Sequence, residues 1–107
     1  MKPVVTLKVR GSSPTRKLAG SIAKGVVNGE SLRMRAIGAG AVNQMIKAAV
    51  VARGFLIQEN INLGLVPYFG EPEENREASV VCVQVVDLNK VSQEVLKRRD
   101  DVSVGSE

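Results

Sequence analysis

The chain has 107 residues, of which 44% are hydrophobic and 24% charged, the balance of a single soluble globular domain. It holds no His and one Cys, which excludes imidazole general bases, a Ser-His-Asp triad, a disulfide framework and the usual zinc sites. The net charge of +4 conceals a segregation: residues 1–53 carry ten Lys/Arg and one acid, Glu30, whereas residues 54–107 carry five Lys/Arg and ten acids. Such polarity suits phosphates or an acidic partner. The longest apolar run, Ala48 to Ala52, is far short of the ~20 residues of a membrane span. Met1-Lys2-Pro3 opens no apolar signal region, so the expected location is the cytoplasm.

The first element predicted is a strand over Val4 to Arg10, with Val5, Leu7 and Val9 on one face and Thr6, Lys8 and Arg10 on the other. Gly11-Ser12-Ser13-Pro14 ends it. Ser13 as N-cap and Pro14 at the first helical position start a helix. Leu18, Ile22 and Val26, with Ala19 and Ala23, form its apolar stripe, and Asn28-Gly29 stops it. A second strand follows, with Leu32, Met34 and Ala36 facing the core and Arg33, Arg35 and Ile37 facing away. Gly38-Ala39-Gly40 turns into a second helix over Ala41 to Arg53. Its expected buried stripe is Val42, Met45, Ile46, Ala49 and Ala52, with Gly54 as its end and Phe55 packed back onto it.

Residues 61–66 read as a third strand, whose following Pro67 marks an edge position or a bulge. Glu71 to Asn75 is an acidic loop. Residues 78–86 form a fourth strand with two apolar faces, which places it centrally or beneath a partner chain. The order is β-α-β-α-β-β, a two-layer α/β sandwich in which a four-stranded mixed sheet carries both helices on one face. Residues 1–88 make the domain. Residues 89–107 form a C-terminal tail, partly disordered or a short helix around Val91, Val95 and Leu96. The second apolar face of the last strand, through Val80, Cys82 and Val86, implies a homo-oligomer, at least a dimer.

Three places suit an anion. The Gly38-Ala39-Gly40 turn presents a helix N-terminus, with Asn43 and Lys47 four residues apart on the helix behind it; small residues also serve close packing there. The Gly11-Ser12-Ser13 loop, with Arg16 and Lys17, lies at the same sheet edge if the first two strands are parallel; helix capping alone also accounts for its serines. Lys8, Arg10, Arg33 and Arg35 share the sheet face opposite the helices, where like charges repel. A phosphate backbone, an acidic surface such as the Glu71–Glu77 loop of another subunit, or solvent would each satisfy them. The aromatics, Phe55, Tyr68 and Phe69, lie off the first two strands, so base stacking there is not expected and any nucleic acid is held by its backbone. No paired carboxylates accompany the glycine turn, Cys82 reads as core, and neither catalysis nor a cofactor is expected.

Lys8-Val9-Arg10-Gly11-Ser12-Ser13-Pro14, Arg35-Ala36-Ile37-Gly38-Ala39-Gly40-Ala41-Val42-Asn43-Gln44, Ile46-Lys47-Ala48 and Ala52-Arg53-Gly54-Phe55 together resemble the stage V sporulation protein S family over about residues 4–86. That family is similar in fold to Alba, the archaeal chromatin protein. The resemblance implies an Alba-like domain and a small, non-catalytic regulator of sporulation that binds DNA or RNA. Alba proteins carry a lysine pair before the proline that follows the first strand, where this chain has Ser12 and Ser13; Arg10, Arg16 and Lys17 are the basic residues nearest that loop. The other reading is a protein-interaction or assembly factor that self-associates and binds no nucleic acid.

Overall fold

The structure, a computed structural model, describes residues 3–74 and 77–90. Its elements are β1 (Val4–Val9), α1 (Thr15–Val27), β2 (Ser31–Ile37), α2 (Ala39–Leu56), a 3-10 turn (Ile57–Glu59), β3 (Leu63–Phe69) and β4 (Val80–Asp87). The four strands form one mixed sheet in the order β1-β2-β4-β3. β1 and β2 are parallel, whereas β4 runs antiparallel to both β2 and β3. This is the expected α/β sandwich. The short helix anticipated around Val91 to Leu96 lies outside the described residues.

Alternation decides which side of the sheet is covered. In register, Leu7 pairs with Met34 and Met34 with Val83, and all three face the helices. Leu32, Met34 and Ala36 are buried there with Ile22 of α1 and Met45, Ala48 and Ala52 of α2. On the opposite, open face stand Thr6 and Lys8, then Arg33 and Arg35, then Cys82 and Gln84, then Val66 and Tyr68. The expected orientation of Arg33 and Arg35, away from the core, is the one observed.

Helix ends differ from expectation in instructive ways. Ser13 does not cap α1: its N–H donates to the Arg10 carbonyl at 3.0 Å and its Oγ accepts the Arg10 N–H at 2.8 Å, closing a turn. The Pro14 carbonyl accepts the first helical bond, from Leu18, so Pro14 holds the cap position. The stop at Asn28-Gly29 is as expected. Gly29 has φ 78°, and Gly29 and Glu30 donate to the carbonyls of Val26 and Gly25, a Schellman closure. The same closure ends the second helical segment later than expected. Asn60, at φ 59°, and Ile61 donate to Ile57 and Leu56, so helical structure continues through Gly54. One glycine in a helix costs about 1 kcal/mol relative to Ala and does not stop it. Phe55 is consequently exposed and Leu56 buried. The buried stripe of α2 is also rotated: Ala41, Met45, Ala48, Ala49, Ala52 and Leu56 are inside, while Ile46 is 44% exposed.

β3 begins and ends two to three residues later than expected because its ladder with β4 runs from Leu63–Asp87 to Phe69–Val81. It is an edge strand, as Pro67 implied. β4 is central, with Val81, Val83 and Val85 toward the helices. Its other face is less open than expected. Val80 and Cys82 are 2% and 7% exposed, because the connection leaving β3 folds back over them. Gly70 makes that possible: a Cβ there would meet Cys82 Sγ at 2.7 Å and Val80 Cγ1 at 2.8 Å.

Candidate anion-binding site

Parallel pairing of β1 and β2 brings the loop after each strand to one edge of the sheet. There Gly11 and Gly40 face one another at close range; a Cβ built on either would be in ordinary contact, at 3.8 Å, with the other residue's backbone. Gln44, one turn into α2, fastens the two loops by donating from Nε2 to the Ser13 carbonyl at 2.7 Å and to Thr15 Oγ1 at 3.3 Å. Both helices start with no side-chain cap and no acid in the first turn. The leading ends of α1 and α2 thus present the partial positive charge of their N-termini at neighbouring points. Gly38, the cap residue of α2, has φ 88°, a conformation that favours glycine.

The cationic side chains fall into two sets around this edge. Arg16 and Lys17 stand exposed in the first turn of α1, beyond the exposed Ser12. Lys8, Arg10 and Arg35, with Gly11, Val9 and Ile37, line an open cleft of about 520 Å³ at the end of the bare sheet face. Lys8 and Arg35 are directly paired across β1 and β2. Their mutual repulsion is relieved within the chain: Glu73, from the β3–β4 connection, enters the same cleft and its Oε1 lies 2.8 Å from Arg35 Nη2. For Arg35, the acidic group considered on another subunit is supplied by this chain.

The remaining candidates lie apart. Arg33 leaves the cleft and donates from Nε to Gln84 Oε1 at 2.9 Å, while Gln84 Nε2 donates to the Leu32 carbonyl at 3.0 Å. Asn43 and Gly38 line a depression on the other flank of α2, with Val42, Ile46 and Val81. Lys47 is exposed on α2. The structure therefore brings together Lys8, Arg10 and Arg35, and joins Gly40 to the Arg10–Ser13 turn. It does not bring Asn43 or Arg33 to them.

Three residues that make contacts at or beside this edge escape sequence reasoning. Glu73 sits in a loop recognisable as acidic, but its target lies 38 positions away in the chain. Gln84 is visible as a polar interruption of an apolar strand. Gln44 lies in the most distinctive stretch of the sequence without any sign of what it would hold. Among the described residues no helix is long and apolar enough to cross a membrane, and no group of three or more potential metal ligands occurs.

Residues 5–88 match the family model described as stage V sporulation protein S (SpoVS). The match spans both loops, both helices and all four strands, and so contains the whole edge just described. The chain belongs to the stage V sporulation protein S family, a family related to sporulation.

Proposed function

We propose that this chain is a non-catalytic nucleic-acid-binding regulator that holds the phosphate backbone of DNA or RNA along the edge where α1 and α2 begin. The observation that carries this reading is the convergence of two uncapped helix N-termini at the Gly11–Gly40 contact, flanked by Arg10, Arg16 and Lys17. Backbone N–H groups and a positive helix end favour phosphate oxygens, and guanidinium groups add charge-assisted bonds. Ser12 and Ser13 lie in the same loop, with Ser12 exposed for contact. Lys8 and Arg35 extend the path onto the open face; Arg33, Asn43 and Lys47 are more distant contacts for a long ligand. No aromatic side chain lines the cleft, and Tyr68 stands two strands from Arg35 on the same face, so binding follows shape and charge with little sequence preference. This reading assumes a cytoplasmic setting.

The test is a salt titration of binding to mixed-sequence duplex DNA and single-stranded RNA. If about three phosphates are neutralised, the log–log slope on duplex DNA is about −2.7, and affinity falls roughly fortyfold between 50 and 200 mM salt. Absence of binding at low salt, or binding indifferent to salt, overturns the reading.

A second reading, a self-associating assembly factor that binds no nucleic acid, draws on a different surface. Phe69 is 80% exposed and Val50 66% exposed, large apolar side chains that a folded monomer leaves in water. Val80 and Cys82, by contrast, are already covered and offer little to a partner. A homodimer or larger homo-oligomer is compatible with both readings. Light scattering at tens of micromolar is expected to give at least twice the 11.4 kDa of one chain; a monomer there removes self-association from both.

A further inference from the structure

We infer that Glu73 is an intramolecular competitor for the anion site, holding Arg35 in a closed state that a phosphate must displace. The inference rests on the phosphate-binding reading above and adds its regulation. The cleft gathers three cations, Lys8, Arg10 and Arg35, around one carboxylate. That carboxylate contacts Arg35 at 2.8 Å, a charge-assisted hydrogen bond between groups whose side chains are 22% and 38% exposed. A carboxylate and a phosphate offer a guanidinium the same pairing of oxygens, so Arg35 cannot serve both with the same donors. The pair is still in part open to water, which keeps it exchangeable rather than locked.

The route by which Glu73 arrives is built into the backbone. β3 ends at Phe69, and Gly70 continues the ladder by donating its N–H to the Val80 carbonyl at 2.9 Å. A Cβ at position 70 would lie 2.8 Å from Val80 Cγ1 and 2.7 Å from Cys82 Sγ, so the chain packs closely on those two side chains as it leaves the ladder. The connection then reaches Arg35 on the open face, where it places one carboxylate of the acidic half against the basic half. Glu71 and Glu74 are exposed in the same connection and serve as internal controls, since they carry the same charge without the contact to Arg35. By linkage, whatever binds the cleft more tightly when Glu73 is displaced also loosens the hold of Glu73 on Arg35.

The experiment compares the full-length protein with Glu73→Gln, Glu74→Gln, Arg35→Ala and the double variant Arg35→Ala/Glu73→Gln, using short mixed-sequence duplex DNA and single-stranded RNA at low salt. Glu73→Gln is expected to tighten binding about tenfold, and Glu74→Gln by less than about twofold, because only the first releases an arginine as well as removing a negative charge. In the Arg35→Ala background, Glu73→Gln is expected to give no more than the Glu74→Gln effect. Thermal melts of each variant close to that of the parent protein exclude unfolding as the cause. If the parent protein binds and Glu73→Gln merely equals Glu74→Gln, the competitor role is overturned and the phosphate-binding reading stands. A tenfold gain that persists without Arg35 also overturns it. If no variant binds, including Glu73→Gln, both fall together.

Discussion

Replacing Arg16 and Lys17 together by Ala is expected to weaken duplex DNA binding about tenfold or more at low salt and to flatten the salt slope by about 1.8, the contribution of two phosphates. Both side chains are exposed in the first turn of α1, which has no acidic residue and no side-chain cap. They add mobile charge to the fixed positive end of the helix, so their removal leaves backbone N–H groups to bind alone. Neither the Arg16 nor the Lys17 side chain forms an ion pair or hydrogen bond among the described residues. The double replacement therefore breaks no polar contact, and stability is expected to change by no more than ~0.5 kcal/mol for each substitution. Fluorescence anisotropy across a salt series measures both quantities. An unchanged slope would remove the α1 end from the interface and leave the sheet-face cleft as the place to look.

Met34→Ala is expected to have the largest effect on stability, a loss of about 3 kcal/mol, which is a substantial fraction of the ~5–15 kcal/mol that holds a domain of this size. Met34 is fully buried at the centre of β2, paired with Leu7 on one side and Val83 on the other. Truncation there removes apolar contacts beneath the helices and leaves a void that its buried neighbours, already close-packed, fill only in part. Chemical denaturation should show the midpoint falling while the slope holds. Ile46→Ala is the informative comparison, expected to cost less than about 1 kcal/mol because Ile46 is 44% exposed. Equal losses at the two positions would mean that the packed face of α2 is the one its larger residues suggest rather than the one observed.

That contrast shows where the sequence is legible. Period-two alternation in Leu32 to Ile37 places each side chain on its correct face, because a one-residue error would bury two arginines. The two apolar faces of β4 correctly make it central. The stripe of α2 is harder to read because alanine is nearly neutral in hydropathy. Ala41, Ala48 and Ala52 are chosen for the core by the space between α1 and the sheet, while Ile46 and Val50, more hydrophobic, remain outside. Chain termination is similarly ambiguous. Gly54 looks like a stop, yet the Schellman bonds form around Asn60, and only the carbonyls they satisfy distinguish the two.

The candidate site divides along the same line. Charge segregation and strand phase make Lys8 and Arg35 neighbours from sequence alone, and parallel pairing brings the two loops to one edge. What covers the basic face is not local information. The sequence shows an acidic loop, but whether it serves its own subunit or another depends on the direction the chain takes after Phe69. At Gly70 the chain passes so close to Val80 and Cys82 that a Cβ would lie 2.8 and 2.7 Å from their side chains, a long-range contact that no local pattern reports. The apolar second face of β4 is buried at Val80 and Cys82 within the chain itself, so those two residues do not by themselves call for a partner.

Pro67 has a consequence for assembly. The sheet ends at β1 on one side and β3 on the other, and a bare strand edge is a template on which further strands can add without limit. In the middle of β3, Pro67 has no N–H to offer an incoming strand, and the ladder that such an addition requires is interrupted there. At the other edge, β1 is only six residues long and bears Lys8, with Pro3 just before it and the Arg10–Ser13 turn just after. Main-chain growth into fibrils is thus opposed at both ends of the sheet. Any contact between copies of this chain is thereby shifted from strand addition to side-chain surfaces.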